Sequence, residues 1–184
     1  MKLVDIIVSW SRKKRNRRCK ILSLMLGALI YGVVIPITIV YAPISLDKMF
    51  NLELGVKPYS TFIAVPLIAS GLSFIFWAVW TQWNIGKGSP LPLAPTQKLV
   101  IKGPYAYCRN PMTFGAILYY LGLIIYVNSL TGLILVLIVS TIYALYIKLV
   151  EEKELELRFG KDYIEYKKRT PFLIPRPRKS EVKT

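Results

Sequence analysis

Two acids and an arginine stand where a membrane would discourage them. Glu151 and Glu152 come shortly after residues 110–147, a stretch with no Asp, Glu, Lys or Arg. Carboxylates are costly beside hydrocarbon and gain little near the C-terminal end of a helix. In that position they suit a ligand that brings a cation or hydroxyl groups. Ahead of the same apolar stretch runs Leu99-Val-Ile-Lys-Gly-Pro-Tyr-Ala-Tyr-Cys-Arg-Asn-Pro-Met112. Gly103-Pro104 makes a turn there. Tyr105 and Arg109 are four apart, so on a helical turn they share a face. Asn110 suits an N-cap and Pro111 the first position of a helix. An arginine beside the free N–H groups of a helix start can receive a carboxylate or a phosphate. A membrane-interface anchor accounts for the same residues equally well, with Tyr at the headgroups and Arg snorkelling to lipid phosphate.

The acids continue as Glu151-Glu-Lys-Glu-Leu-Glu-Leu-Arg-Phe-Gly-Lys-Asp-Tyr-Ile-Glu-Tyr166. Glu154 and Glu156 read as an ordinary solvated face, with Glu154 supporting Arg158 one turn on. Gly160 interrupts this helix, a second short helix follows, and Pro171, Pro175 and Pro177 end regular structure. The chain has no His, which removes the commonest general base and metal ligand. Candidate bases reduce to Glu152, Glu151 and Tyr105. No Cys/His cluster has metal spacing, so no metal site is expected. Cys19 and Cys108 are expected as free thiols on the cytoplasmic side.

These segments need a scaffold, and the charge pattern supplies it. The 184 residues are 54% hydrophobic yet carry 25 Lys+Arg against 10 Asp+Glu, a net charge of +15. The two properties are segregated along the chain: residues 21–46, 58–86 and 110–147 are free of charge. A bilayer core enforces such blanks, because a charge at its centre costs about 2.5–3.5 kcal/mol. The fold predicted is all-α and polytopic, with four membrane helices at 21–43, 60–83, 111–127 and 130–148. The last two form a hairpin turning at Asn128-Ser129. Pro36 and Pro66 are expected to kink the first two helices.

Loop charge orients the chain. The arm before the first helix holds seven Lys/Arg within residues 12–20, and the 84–110 loop holds four and no acid. The positive-inside rule puts residues 1–20, 84–110 and 149–184 in the cytoplasm, so both termini lie there. The first helix reads as an uncleaved span rather than a signal peptide. Residues 1–10 suit an interfacial helix with Trp10 at the headgroups. Anionic lipid is the simpler partner for the basic arm, at about 1 kcal/mol per basic residue, and no nucleic-acid partner is expected.

Taken together, Leu-Val-x-x-Gly-Pro-Tyr-x-x-x-Arg-Asn-Pro-Met, a helical hairpin, and Glu-Glu-x-x-Leu-x-x-x-Phe-Gly-x-x-Tyr-x-x-Tyr resemble the isoprenylcysteine carboxyl methyltransferases. The related membrane phospholipid N-methyltransferases share much of the pattern. The likeness covers about residues 86–176. It implies one membrane methyltransferase domain over 1–184, with cofactor-site segments at 84–110 and 149–176 and a tail at 177–184. It implies S-adenosylmethionine as cofactor, bound under the C-terminal helices. Gln97, Lys98, Leu99 and Val100 would line the pocket through their backbone, and Tyr105 would contact the cofactor. Asn110, Pro111, Met112 and Thr113 would lie beside it, and Glu151 would hold one of its polar groups. Arg109 matches the motif arginine and would neutralise a carboxylate of cofactor or substrate. Glu152 would assist proton removal if an amine is methylated.

The likeness departs at three positions: Asn110 replaces a His, Thr113 a Tyr, and Ile147 an Arg, with Lys148 one residue off that face. The activity implied is methylation of an amphiphilic or lipid substrate that enters between the spans. A carboxylate nucleophile needs no base at neutral pH, which puts isoprenylcysteine-type carboxyl O-methylation first. N-methylation of an aminophospholipid is the alternative, and a non-catalytic membrane protein keeping the fold is a third. The sequence does not choose an oligomeric state.

Overall fold

The computed structural model of the chain describes residues 16–88 and 95–177, together with Ser9. The expected interfacial helix at 1–10, the basic run at 12–15 and the tail from 178 lie outside the described residues. Among the described residues every regular element is helical. Helix α1 spans Arg17–Phe50, α2 Ser60–Gly86, α3 Pro111–Val127, α4 Leu130–Phe159 and α5 Lys161–Arg169, and a single 3-10 turn covers Gly103–Ala106. Helices α1, α2 and α4 are long and apolar enough to cross a membrane, and α3 is a shorter apolar helix. At 17 residues α3 sits at the lower limit of a span.

Two spans run further than their charge-free blocks. Helix α1 has 34 residues, about 51 Å at about 1.5 Å per residue, against a hydrocarbon core of about 30 Å. Hydropathy predicts its end at 43, with a loop beyond. The helix instead continues through the buried Pro43 and stops where Asn51 turns left-handed, at φ 52°. Nothing between 44 and 50 breaks a helix, and loss of hydropathy alone does not end one. Helix α4 likewise continues past 148 to Phe159, and Gly160, at φ 57°, ends it.

Each of these long helices contains one wide, π-type turn: Ile30–Val34 in α1, Gln82–Gly86 in α2 and Ile147–Glu151 in α4. Such turns loosen the regular ladder and re-aim side chains, and they recur at functional sites. The turn in α1 lies just before Pro36, whose missing N–H already interrupts the ladder. There the Tyr120 hydroxyl donates to the Tyr31 carbonyl at 2.8 Å.

Small residues bring α2 and α3 together. Ala64, Gly71 and Ala78 recur every seventh residue on α2 and are buried, as are Gly115 and Gly122 on α3. A Cβ on Gly71 would lie 2.6 Å from the Gly115 carbonyl oxygen, and one on Gly122 would lie 3.0 Å from the Ala64 carbonyl oxygen. Membrane helices associate by such close backbone packing, because lipid offers no hydrophobic drive between them. Ile39, Ile124 and Val136 form a second buried contact joining α1, α3 and α4.

The helix directions sort the loops to two ends. Residues 51–59 and the Asn128-Ser129 turn share one end. The α1 start, residues 87–88 and 95–110, the end of α4 and α5 share the other, where the Lys20 ammonium donates to the Lys87 carbonyl.

Candidate functional site

A cavity of about 420 Å³ opens at this second end, between the Thr96–Met112 segment, the end of α4 and α5. Its size falls within the usual range for small-molecule sites. The loop leaving α2 folds against it because of its glycines: a Cβ on Gly88 would stand 2.5 Å from the Thr96 backbone nitrogen. The Gln97 N–H then donates to the Gly86 carbonyl at 2.8 Å and fixes the loop.

Most residues predicted for the site line this cavity. Leu99, Val100 and Tyr105 form one wall; Asn110, Pro111, Met112 and Thr113, at the start of α3, form another; Arg109, Glu151 and Glu152 complete it. Gln97 and Lys98 are not among the lining residues. The Gln97 side chain instead donates to the Pro95 carbonyl at 3.0 Å.

Arg109 and Glu152 meet as a buried pair. The guanidinium Nε and Nη2 reach one Glu152 oxygen at 3.0 and 2.6 Å, with side-chain exposures of 10% and 4%. The Lys167 ammonium takes the other oxygen at 2.7 Å and Glu156 at 2.9 Å. Bonding to Glu152 first, and to Glu156, holds the Lys167 ammonium above the usual lysine range. Arg109 Nη1 donates to the carbonyls of Lys167 and Thr170 at 2.9 and 2.7 Å, capping the C-terminal end of α5. Arginine is suited to this, because its planar fork serves several acceptors at once.

The same segment straps the C-terminal residues across the site. The Arg109 N–H donates to the Pro171 carbonyl at 2.9 Å and the Arg176 N–H to the Tyr107 carbonyl at 3.0 Å. Asn110 occupies the N-cap position of α3 but does not cap it. Its amide donates to the Phe172 carbonyl at 3.0 Å, a correction to the expected capping role. The strap competes for the side chain, and the first N–H groups of α3, at Met112 and Thr113, keep no capping side chain. The Tyr166 hydroxyl donates to the Tyr105 carbonyl at 2.7 Å. Burial pushes the Tyr105, Tyr163 and Tyr166 phenols well above their ordinary range and the Cys108 thiol up to about 11. The phenols are therefore neutral donors rather than bases, and Cys108 is a buried thiol.

Against this closed network two groups stand open. Glu151 has no ion-pair or hydrogen-bond partner among the described residues and lines the cavity. Gln82 lines it too: its amide meets the Tyr105 hydroxyl, but its Oε1 is buried without a hydrogen-bond partner. A buried acceptor left unpaired costs about 1–3 kcal/mol. Gln82 was not singled out from the sequence. The available signal was an amide at the end of a stretch otherwise free of charge. Tyr143, Tyr146 and Ile147 add the membrane-facing wall, and Arg158 adds a second arginine, held by Glu154 at 2.9 Å and by the Thr96 carbonyl. The expected Glu154 to Arg158 support is thus present, but both residues line the cavity rather than an outer face.

The arrangement presents two acceptors, Glu151 and Gln82, and two helix-start N–H groups around one space. It fits a ligand carrying both cationic or hydroxyl donors and an anionic group.

Comparison with known proteins bears on the same segments. The profile of a family described as phospholipid methyltransferase matches residues 59–162, more than half of the chain. Two protein-S-isoprenylcysteine O-methyltransferases, from Mus musculus and Rattus norvegicus, are each 34% identical to this chain over 83 residues. That stretch is 44% of this chain but only 28% of each relative.

Proposed function

Because the chain belongs to the phospholipid methyltransferase family of membrane proteins, we propose that it is an integral membrane methyltransferase using S-adenosylmethionine on the head of an amphiphile. The observation that carries this reading is the pairing of open groups around one cavity. Among the described residues, Glu151 and the Gln82 oxygen lack partners, and the Met112 and Thr113 N–H groups lack a capping side chain. The helix start takes the cofactor's carboxylate. Glu151 takes its ammonium or a ribose hydroxyl, and Gln82 accepts from an amino group. Bound there, the cofactor supplies an electrophilic methyl group on a sulfonium. The protein's contribution is to hold the nucleophile in line and exclude water. The strap and the buried tyrosines do the excluding. Arg109 and Glu152 act by holding the strap and α5 in place. With both Glu152 oxygens occupied, Glu152 is a positioning residue and not a free base.

Charge inside the cavity favours one head group. Both arginines in the lining are engaged, Arg109 by Glu152 and Arg158 by Glu154. Among the described lining residues no cation is left for a substrate carboxylate, which burial would otherwise penalise. This supports an amine as methyl acceptor, with Glu151, whose carboxyl burial pushes up to about 7, as the open carboxylate among the described lining residues that takes the ammonium proton before the nitrogen displaces the sulfonium sulfur, and it places N-methylation of a lipid amine ahead of carboxyl O-methylation. Carboxyl methylation of an isoprenylcysteine is the second reading, favoured by the 34% identity to the isoprenylcysteine methyltransferases. Arg17, Arg18 and Lys20, at the start of α1, and Lys87, Lys98, Lys102 and Arg109 share the cavity end, which supports placing that end and both termini in the cytoplasm.

Two measurements test this. Titration calorimetry of S-adenosylmethionine into the detergent-solubilised protein should show binding that Glu151→Ala weakens more than tenfold, over about 1.4 kcal/mol. No affinity in the unaltered protein would end the methyltransferase reading. Transfer of labelled methyl to a panel of aminophospholipids, prenylcysteines and fatty acids should favour the aminophospholipids. Transfer to prenylcysteine alone would install the second reading.

A further inference from the structure

Lys148 is the one residue of the wide turn in α4 that pairs a full positive charge with an aromatic seat. Its ammonium lies 4.9 Å from the centre of the Phe172 ring. No carboxylate pairs with it among the described residues, although α4 and α5 carry acids on either side. Phe172 cannot drift, because its carbonyl is held by Asn110 at 3.0 Å and Arg109 lies over its ring at 5.8 Å. A cation over a ring at an exposed site gains only about 0.5–1 kcal/mol. That is enough to favour a position while leaving the charge available to a stronger anion.

The position is at the edge of the site. Ile147, one residue earlier, is 1% exposed and lines the cavity, whereas Lys148 is exposed and does not. A head group whose amine entered the cavity beside Ile147 would carry its phosphate on the side of Lys148, the next residue of the turn. We propose that Lys148, seated on Phe172, is the residue that receives the phosphate of the lipid head whose amine is methylated. It thereby sets specificity for phosphate-bearing amines over plain amphiphilic amines. This rests on the amine reading given above. The cavity interior offers no competing cation, since Arg109 and Arg158 are both engaged. A lysine ammonium is suited to phosphate as a point charge.

The competing account is a snorkelling anchor that serves the membrane interface and not the substrate. The two are separated by comparing lysophosphatidylethanolamine with hexadecylamine as methyl acceptors in the same detergent micelles, using the whole 184-residue chain. Lys148→Ala should raise KM for the phospholipid about tenfold, leave kcat within about twofold, and leave KM for the alkylamine unchanged. Lys148→Arg should restore most of the phospholipid KM. Phe172→Leu, which removes the ring but keeps the strap's carbonyl, should raise the same KM by a smaller factor. Equal KM changes for both substrates, or none for either, would overturn the proposal while leaving the amine reading intact. Methylation of prenylcysteine with neither amine accepted would overturn the amine reading, and this inference with it. Calorimetric cofactor affinity should be the same in all three variants.

Discussion

The two ends of the helical bundle handle buried polar groups in opposite ways. At the end away from the cavity, the buried Asp47 receives the Ser129 hydroxyl and, at 3.1 Å, the Thr131 N–H. Ser129 in turn caps α4 by accepting from the Gly132 N–H at 3.0 Å. The Asn128 side chain accepts from the Val56 N–H at 3.1 Å, and its carbonyl accepts from the Leu54 N–H at 3.2 Å. Each of these groups is satisfied within the chain, so the cluster fixes the turn between α3 and α4 and ties it to α1. At the cavity end, Arg109, Glu152 and Lys167 form an equally closed network, but Glu151, Gln82 and the α3 start beside it stay open. Native proteins leave few buried polar groups unpaired, and each one invites an explanation. Satisfaction at one end fixes the architecture, and its selective absence at the other supports the proposed binding site. The neighbours Glu151 and Glu152 show the contrast at its sharpest, since one is open and the other is held by two cations.

Breaking the closed network at the cavity end should have the largest effect on stability. Arg109→Ala leaves Glu152 buried with only Lys167 to balance it and frees the strap. Removing one partner of a buried ion pair costs about 3–5 kcal/mol. The expected result is a large drop in the thermal midpoint followed by circular dichroism in detergent. Arg109→Ala combined with Glu152→Gln should recover part of the loss, because the stranded charge is gone. A drop of only a degree or two for the single variant would return Arg109 to the role of a lipid anchor.

The matching change at the other end should be smaller and silent in binding. Asp47→Ala strands the Ser129 hydroxyl and the Thr131 N–H. A lost hydrogen bond to a charged group is worth about 1.5–3 kcal/mol. The thermal midpoint should fall accordingly while cofactor affinity by calorimetry stays within about twofold. A large loss of affinity would mean that the two ends are coupled, and the contrast between them would fail.

Much of this contrast was legible in the sequence, though unevenly. The Asn128-Ser129 turn and the 111–127 helix were visible because a charge-free block too long for one span must fold back at its polar residues. The helix end at 43 was misplaced because hydropathy marks the membrane boundary, whereas the helix stops at Asn51, where the backbone turns left-handed; Gly160, also at positive φ, ends α4 where its type suggested. Motif and likeness singled out Gln97 to Val100, Tyr105, Arg109 to Thr113 and Glu151-Glu152, and all of these except Gln97 and Lys98 line one cavity. Spacing could not tell which of the two adjacent glutamates is tied up. That depends on Lys167 and Arg109 arriving from elements 15 and 43 positions away. Asn110 shows the same limit. Its type and place predicted a cap, but the strap at Phe172 supplies an acceptor that local sequence does not reveal.

The smallest expected effect on stability is the most informative one. Glu151→Gln keeps the size and shape of the side chain and removes its charge. Glu151 has no partner within the described residues, so no ion pair is lost, and a desolvated carboxylate is replaced by a neutral amide. Stability should therefore change by less than about 0.5 kcal/mol, or rise slightly, as it does when a residue kept for binding rather than folding is replaced. Cofactor affinity should fall at least tenfold in the same preparation, because the amide cannot balance an ammonium. Glu152→Gln should do the reverse. It loses its charge-assisted bonds to Arg109 and Lys167 and so lowers the thermal midpoint, with a lesser effect on affinity. If the two variants behaved alike, the open and closed acids would be one functional unit, and the reading of Glu151 as the ligand-facing carboxylate would fall.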